Sequence, residues 1–221
     1  MNKLKKVIVS LLAAILLVAS VAPVAQVEVF AASSPTNSVA ISQATVKVTK
    51  NEYTYSKSKS RTPVLSVSYN GTTLKAGTDY VLTWSSSKTK AGTYKLTYTL
   101  KGKGKYSGTK TGTATLTINQ KVQSVTVSGT SKTINITKKN LTKTHYVHTY
   151  TLSAKASNSK ATFTYKKVSG SAKLSISKAG KVSTKKGLKK GTYQMVVEVT
   201  ASGNNNFKQT TQDVIFKVTV K

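Results

Sequence analysis

The chain is predicted to be all-β, two tandem antiparallel β-sandwiches following an N-terminal leader, on three observations. Apolar residues alternate with Thr, Lys, Ser and Gln at period two through nearly every segment, as in Tyr94, Leu96, Tyr98 and Leu100. Successive strand side chains point to opposite faces, so this pattern buries one face and wets the other. Turn signals (Asn70-Gly71, Ala76-Gly77, Ala91-Gly92, Ala179-Gly180, Lys190-Gly191) recur at intervals that fit a sandwich of short strands. The sequence also repeats itself once. No stretch beyond the leader sustains apolar residues at helical spacing, and abundant Thr and Tyr favour a pleated, half-buried surface.

The leader comes first. Lys3, Lys5 and Lys6 precede an apolar run from Val7 to about Ala19, and small residues end at Val29-Phe30-Ala31. This is the layout of a secretory signal, residues 1–31, with cleavage after Ala31 or Ala32. An uncleaved membrane anchor is the competing reading; Pro23 and Gln26 interrupt the run close to the roughly 20 residues that a spanning helix needs. After cleavage no later segment is apolar enough for stable membrane insertion. Residues 32–39 form a short linker.

The first sandwich is placed at 40–119. Tyr80, Leu82 and Trp84 alternate as one strand, with Trp84 expected in the core, and Asp79 in AGTDY is expected to bond the backbone of the turn before it. The strand from Tyr94 to Leu100 follows, and Ala114, Leu116 and Ile118 close the domain. Near Asn119-Gln120-Lys121 that strand stops, and Val122, Val125 and Val127 open the next.

The second sandwich is placed at 120–221. A strand is expected through Tyr150, Leu152 and Ala154, another through Tyr193, Met195, Val197 and Val199, and a last through Val214, Phe216, Val218 and Val220. Gly92, Tyr94, Leu96, Leu100 and Gly104 meet Gly191, Tyr193, Met195, Val199 and Gly203 at a constant offset of 99; after a short insertion Tyr106 meets Phe207, and Leu116 and Ile118 meet Val218 and Val220. Each half therefore ends in the same long hairpin, with a glycine in its turn and an aromatic just past it. Two domains are the economical reading.

Thirty-five Lys+Arg against five Asp+Glu give a formal charge of +30; loss of the leader removes Lys3, Lys5, Lys6 and Glu28 and leaves 32 against 4. Only Arg61 is an arginine. Lysine is a hydrated point charge without the planar fork that reads phosphates and bases bidentately, so a diffuse polyanion fits better than a specific nucleic-acid site. The absence of cysteine excludes a disulfide framework, a Cys zinc site and an acylated lipoprotein anchor.

The segment TPVLSVSYNGTTLKAGTDYVLTWSSSKTKAGTYKLTYTLKGKGKYSGT (62–109) resembles the Ig-like β-sandwich modules of secreted and surface proteins of clostridial and related Gram-positive bacteria. Pro63, Asn70-Gly71, Leu74, Gly77, Asp79-Tyr80, Gly92, Gly102, Gly104, Tyr106 and Gly108 carry the match. The second half is more loosely similar to another bacterial Ig-like type, through LSISKAGKVSTKKG and GTYQMVVEVTASGNNNF. The resemblance implies an extracellular setting and a role in adhesion or spacing, with no catalytic residues to carry over. The chain ends FKVTVK, without a sortase signal, so the modules and their charge are expected to carry the function.

Enzymatic chemistry finds little support. Beyond the leader the carboxylates are Glu52, Asp79, Glu198 and Asp213, and the histidines are His145 and His148. A catalytic pocket needs such groups gathered together, and residues three apart on a strand point to opposite faces, so the two histidines do not chelate one metal there. No catalytic residue, metal ligand or cofactor is assigned; a hydrolase would need a nucleophile beside Glu198 or Asp213. Glu198 has one further candidate role, as the buried carboxylate assisting a Lys–Asn isopeptide cross-link; pairing with a solvated lysine explains it more simply. LKGKGKYSGTKTGT (100–113) has the glycines and lysines of a phosphate loop, but no Gly-Lys-Thr or helix follows, so it is read as a hairpin turn.

The candidate polyanion contacts are Lys101, Lys103 and Lys105, Lys138 and Lys139, and Lys185, Lys186, Lys189 and Lys190. Tyr53 and Tyr55, before a polar loop, are candidate glycan contacts. The expected protein is a non-enzymatic, secreted, envelope-associated binding or adhesion module. Its expected partners are anionic cell-wall polymers such as teichoic acid, or acidic glycans, with extracellular DNA bound nonspecifically. The alternative is a structural spacer or matrix protein whose lysines keep it soluble and blunt its edge strands.

Overall fold

The computed structural model describes residues 38–135 and 147–221, which belong to one compact unit. The leader, most of the linker, Lys138, Lys139 and His145 lie outside the described residues. In the first half the strands are β1 (Val39–Ala40), β2 (Thr45–Lys50), β3 (Glu52–Thr54), β4 (Val64–Tyr69), β5 (Thr72–Thr73), β6 (Tyr80–Trp84), β7 (Gly92–Gly102), β8 (Tyr106–Ser107) and β9 (Thr109–Asn119). The second half holds β10 (Val125–Ser128), β11 (Ser131–Ile134), β12 (Thr149–Thr151), β13 (Ser153–Ala156), β14 (Phe163–Gly170), β15 (Leu174–Ile176), β16 (Lys181–Thr184), β17 (Gly191–Ala201) and β18 (Thr210–Val220).

The two halves repeat one sheet. In the first, the order is β3-β9-β7-β6, with β3 parallel to β9; in the second it is β11-β18-β17-β14, with β11 parallel to β18. Each has a hairpin of two eleven-residue strands at its centre, in registers that pair Gly92 with Ile118 and Gly191 with Val220. The opposing layers are β2-β4-β5 in the first half, and β12-β16-β15 with the β10-β13 pair in the second. Strand pairing thus divides into two tandem Ig-like sandwiches.

Period-two patterning dictates what each sheet buries. Met195, Val197, Val199 and Ala201 of β17 and Phe216, Val218 and Val220 of β18 are buried, joined in one core by Leu152, Leu174 and Val182 from the opposing strands. The first half has a core of Ile41, Val67, Tyr80, Tyr98, Leu100 and Tyr106, and beside it a cluster of Leu96, Leu116 and Ile118. Trp84 is half-buried between these clusters and meets Tyr98 edge to face at 5.7 Å. Full burial of one such aliphatic or aromatic side chain is worth about 1.5–3 kcal/mol.

Asn70-Gly71 makes the turn that its sequence announces. Tyr69 pairs with Thr72, and both turn residues have positive φ, 46° and 78°, as a two-residue type I′ hairpin requires. Two expectations are corrected. Val122 does not open a strand: it is 62% exposed, and the next residue, Gln123, is buried instead, because its amide donates to the carbonyls of Ser202 (2.9 Å) and Lys208 (2.7 Å). The segment through Tyr150, Leu152 and Ala154 is two strands and not one, since the chain changes partner at buried Leu152, from β16 to β10.

Candidate functional site

At the β7–β9 turn the polypeptide folds back tightly on itself. Gly102 N–H donates to Gly108 O, Tyr106 N–H to Lys103 O and Lys103 N–H to Asp79 O. A side chain at Gly102 would collide with the backbone of Tyr106 and Ser107, and one at Gly203 would collide with that of Phe207 and Gln209. Gly102, and not Gly104, is therefore the partner of Gly203 by role. The constant offset fails at the tip because two extra residues in the second half, after Val199, precede the shared fold-back.

Asp79 takes its expected place. Its Oδ2 accepts from Lys75 N–H at 2.8 Å, which shapes the turn before β6. Lys103 Nζ donates to Gly77 O at 2.7 Å, tying that turn to the hairpin tip, and Lys105 Nζ stands 5.5 Å from the Tyr106 ring. Lys101, Lys103 and Lys105 are all exposed, so ammonium protons remain for an outside anion. Lys185, Lys186, Lys189 and Lys190 are exposed as well, on a loop anchored by buried Leu188 and by Tyr193, whose hydroxyl donates to Lys189 O at 3.0 Å.

The two lysine loops sit at opposite ends of the molecule. The first closes the Gly102 end of β7, whereas the Gly92 end faces the second sandwich through Ala91 N–H, which donates to Asn206 Oδ1 at 2.9 Å. The second loop leads into Gly191, and it is the far end of that strand, after Ala201, that meets the first sandwich. Two eleven-residue strands end to end separate the loops by roughly 70 Å at about 3.3 Å per residue.

The junction between the sandwiches was not legible in the sequence. The β17–β18 turn, Ser202–Lys208, lies along the connecting segment: Lys121 N–H donates to Asn206 O, Lys208 N–H to Lys121 O, and Gln120 Nε2 to Asn204 O at 2.8 Å. Phe207 leaves its own core and meets Tyr55 of the first sandwich edge to face, ring centroids 5.3 Å apart. Its counterpart Tyr106 stays at home, 5% exposed and against Tyr69. Tyr55 is thus half-buried and not exposed.

Tyr53 is also half-buried. Its hydroxyl donates to Thr62 O, and Lys50 and Arg61 lie 5.1 and 4.7 Å from its ring centre. Arg61 Nε is buried without a hydrogen-bond partner. This cation–π cluster is a feature sequence reasoning missed; the solitary arginine was its one signal.

The carboxylates are dispersed. Glu52 accepts from Asn119 Nδ2 at 2.7 Å, and Asp213 is exposed. Although β17 is central, Glu198 lies on the outer face, half-buried, level with Lys166 on one side and Asp213 on the other. It is not the buried carboxylate that an isopeptide requires. His148 is held at the backbone: its N–H donates to Thr184 Oγ1 and its carbonyl accepts from Thr184 N–H. Among the described residues, no three His, Cys, Asp or Glu are grouped to hold a metal, and no helix is long and apolar enough to cross a membrane.

No family model matches the chain, and no curated protein matches it. Among solved structures it is similar to EC3-6 of protocadherin gammaB7, at 14% identity over 81% of this chain and 49% of that one, with a TM-score of 0.37. It is also similar to EC1-4 of Drosophila N-cadherin, at 11% identity over 77% of this chain and 47% of that one, TM-score 0.40. A third is a SusE-like surface-located polysaccharide-binding protein from the heparin utilisation locus of Bacteroides thetaiotaomicron, at 13% identity over 77% and 32%, TM-score 0.33. The chain spans about half the length of the two cadherin structures, and a third of the last.

Proposed function

We propose that the protein is a non-enzymatic, secreted binding module that is held at a Gram-positive cell envelope by its lysines. Its domains are 40–119 and 120–221, its partners teichoic acid or acidic glycans, and any hold on extracellular DNA is nonspecific. The observation that carries this reading is the exposure of lysine clusters at the two ends of an elongated pair of sandwiches, Lys101, Lys103 and Lys105 on one and Lys185, Lys186, Lys189 and Lys190 on the other. Lys138 and Lys139 belong to the same proposal. Charge of this density attracts polyanions, and the attraction falls steeply with salt. Tyr53 and Tyr55 are offered as secondary glycan contacts through their uncovered edges.

The head-to-tail arrangement favours a second reading, a spacer. Val39 pairs at the β8 end of the first sandwich and Lys221 lies beside Ile134 at the far end of the second, so the chain enters at one pole and leaves at the other. Pull-down on purified walls, with and without teichoic acid, across a salt series, separates the two. Retention that needs teichoic acid and disappears with salt is expected; equal, negligible retention on both walls at low salt leaves only the spacer.

A further inference from the structure

The junction holds a feature that neither the lysine loops nor the spacer reading uses. A cleft of about 310 Å³ opens between the sandwiches, lined by Tyr55 and Lys57 of the first and by Asn158, Lys160, Asn204 and Phe207 of the second, with the Tyr55 and Phe207 rings in contact. A second hollow of about 300 Å³ on the second sandwich shares Asn158 and Ser159 with it and is lined as far as Phe163. Together they make a track, each part at the small end of the roughly 300–1,000 Å³ typical of ligand sites.

Its polar groups are set in advance. Asn158 Oδ1 accepts from Lys160 N–H at 3.2 Å, Asn206 Oδ1 from Ala91 N–H at 2.9 Å, and Asn204 Oδ1 from the N–H groups of Asn206 and Phe207 at 2.8 and 3.0 Å. With each amide oxygen engaged by backbone, each Nδ2 is left as the donor, its orientation fixed by the other half of the same amide. Lys57 and Lys160 line the cleft and Lys155 the hollow beyond, and no carboxylate lines either. Oriented amide donors, ring edges and flanking ammonium groups suit a chain rich in hydroxyl and carbonyl acceptors that also bears negative charge.

We infer that this inter-sandwich track binds an acidic polysaccharide, with one uronate or sulfated sugar seated against the Tyr55–Phe207 ring pair and its neighbour over Asn158-Ser159. A single-stranded nucleic acid is disfavoured: it needs ring faces on which successive bases stack, whereas Tyr55 and Phe207 stand at 77° to each other. The inference deepens the envelope-binding reading and rests on it for the acidic character of the ligand. It moves the specific contact from the lysine loops to the junction.

The test uses the whole chain, titrated at near-physiological salt with a tetrasaccharide of alternating glucuronate and N-acetylglucosamine. A neutral N-acetylglucosamine tetrasaccharide and a short oligothymidylate serve as comparators, read by amide shift mapping and calorimetry. Saturable binding of the acidic sugar is expected, with shifts confined to residues around Tyr55, Asn158 and Asn204–Phe207. Lys57→Gln and Lys160→Gln should each weaken it about ten-fold, the loss of one charge-assisted hydrogen bond. Ser159→Trp should block the track, while Lys217→Gln, on an exposed strand position that lines neither hollow, leaves it unchanged; amide spectra of each variant verify its fold. Shifts at the β7–β9 tip in place of the junction, or oligothymidylate binding as tightly at the same residues, overturn the inference. Should the cleft variants bind normally while Lys101→Gln/Lys103→Gln/Lys105→Gln loses wall retention, the track falls and the envelope reading stands. Saturable, junction-mapped sugar binding without any wall retention has the opposite meaning.

Discussion

Single side chains in the first sandwich hold more than their type announces. Tyr98 pairs across the hairpin with Gly112, and any side chain at 112 would enter the Tyr98 ring; the aromatic fills the space that glycine leaves. Gly112→Val should therefore lower stability by about 1–3 kcal/mol through overpacking, measurable as a shifted urea midpoint, and an unshifted midpoint would show that the ring yields freely. Tyr80 and Tyr165 carry a different signature. Burial pushes both phenols above the usual value, and the charge of Asp79 adds to the effect at Tyr80, while at Tyr165 a hydrogen bond with the Ala154 backbone opposes it. A raised folded-state pKa means that the native state keeps its proton where the unfolded chain has lost it. The stabilisation is thus complete below the usual phenol value, about 10, and is lost as pH rises through the folded values. The informative quantity is the difference between variant and parent. Tyr80→Phe and Tyr165→Phe should lose less stability than the parent between neutral and strongly alkaline pH, and parallel curves would contradict this.

The two central hairpins are the elements on which function is proposed to rest, and they use one geometry for two purposes. The first turns outward, its tip pinned through Lys103 to Gly77, and presents lysines to solvent. Neutralising it by Lys101→Gln/Lys103→Gln/Lys105→Gln should remove much of the low-salt retention on cell walls and flatten its salt dependence, because each cation released from a polyanion contributes to that slope. Lys103→Gln alone should also loosen the Asp79 turn, read as faster amide exchange at Gly77–Tyr80, whereas Lys101→Gln should not. Wall retention indifferent to the triple change would locate the charge effect elsewhere on the surface.

At the scale of the whole molecule, the junction turns two sandwiches into one compact unit. Phe207 and Tyr55, the Asn206–Ala91 bond and the Lys121 ladder cross it. Phe207→Ala should cost about 1–2 kcal/mol, the burial and edge-to-face contact of one half-covered ring. It should also broaden the distance distribution in small-angle scattering as the sandwiches hinge; neither change appearing would mean that the backbone ladder alone sets their geometry.

The sequence by itself determined which residues face inward, because strand side chains alternate and one register buries the apolar set: Tyr94 through Leu100 and Val214 through Val220 read out as they pack. It determined the Asn70-Gly71 hairpin through local backbone preference, and the repeat of one sheet plan through matching glycines and aromatics. Only the tertiary structure decided what each copy does. Tyr106 and Phe207 occupy the same place in the repeat, and nothing local tells them apart; one is buried in its own core and the other, half-buried, rests on its neighbour's Tyr55. The same holds for Gln123, buried where Val122 was expected, and for Asn206 at the junction. Their surroundings are supplied by residues about 80–115 positions away, contacts that pattern and propensity do not encode.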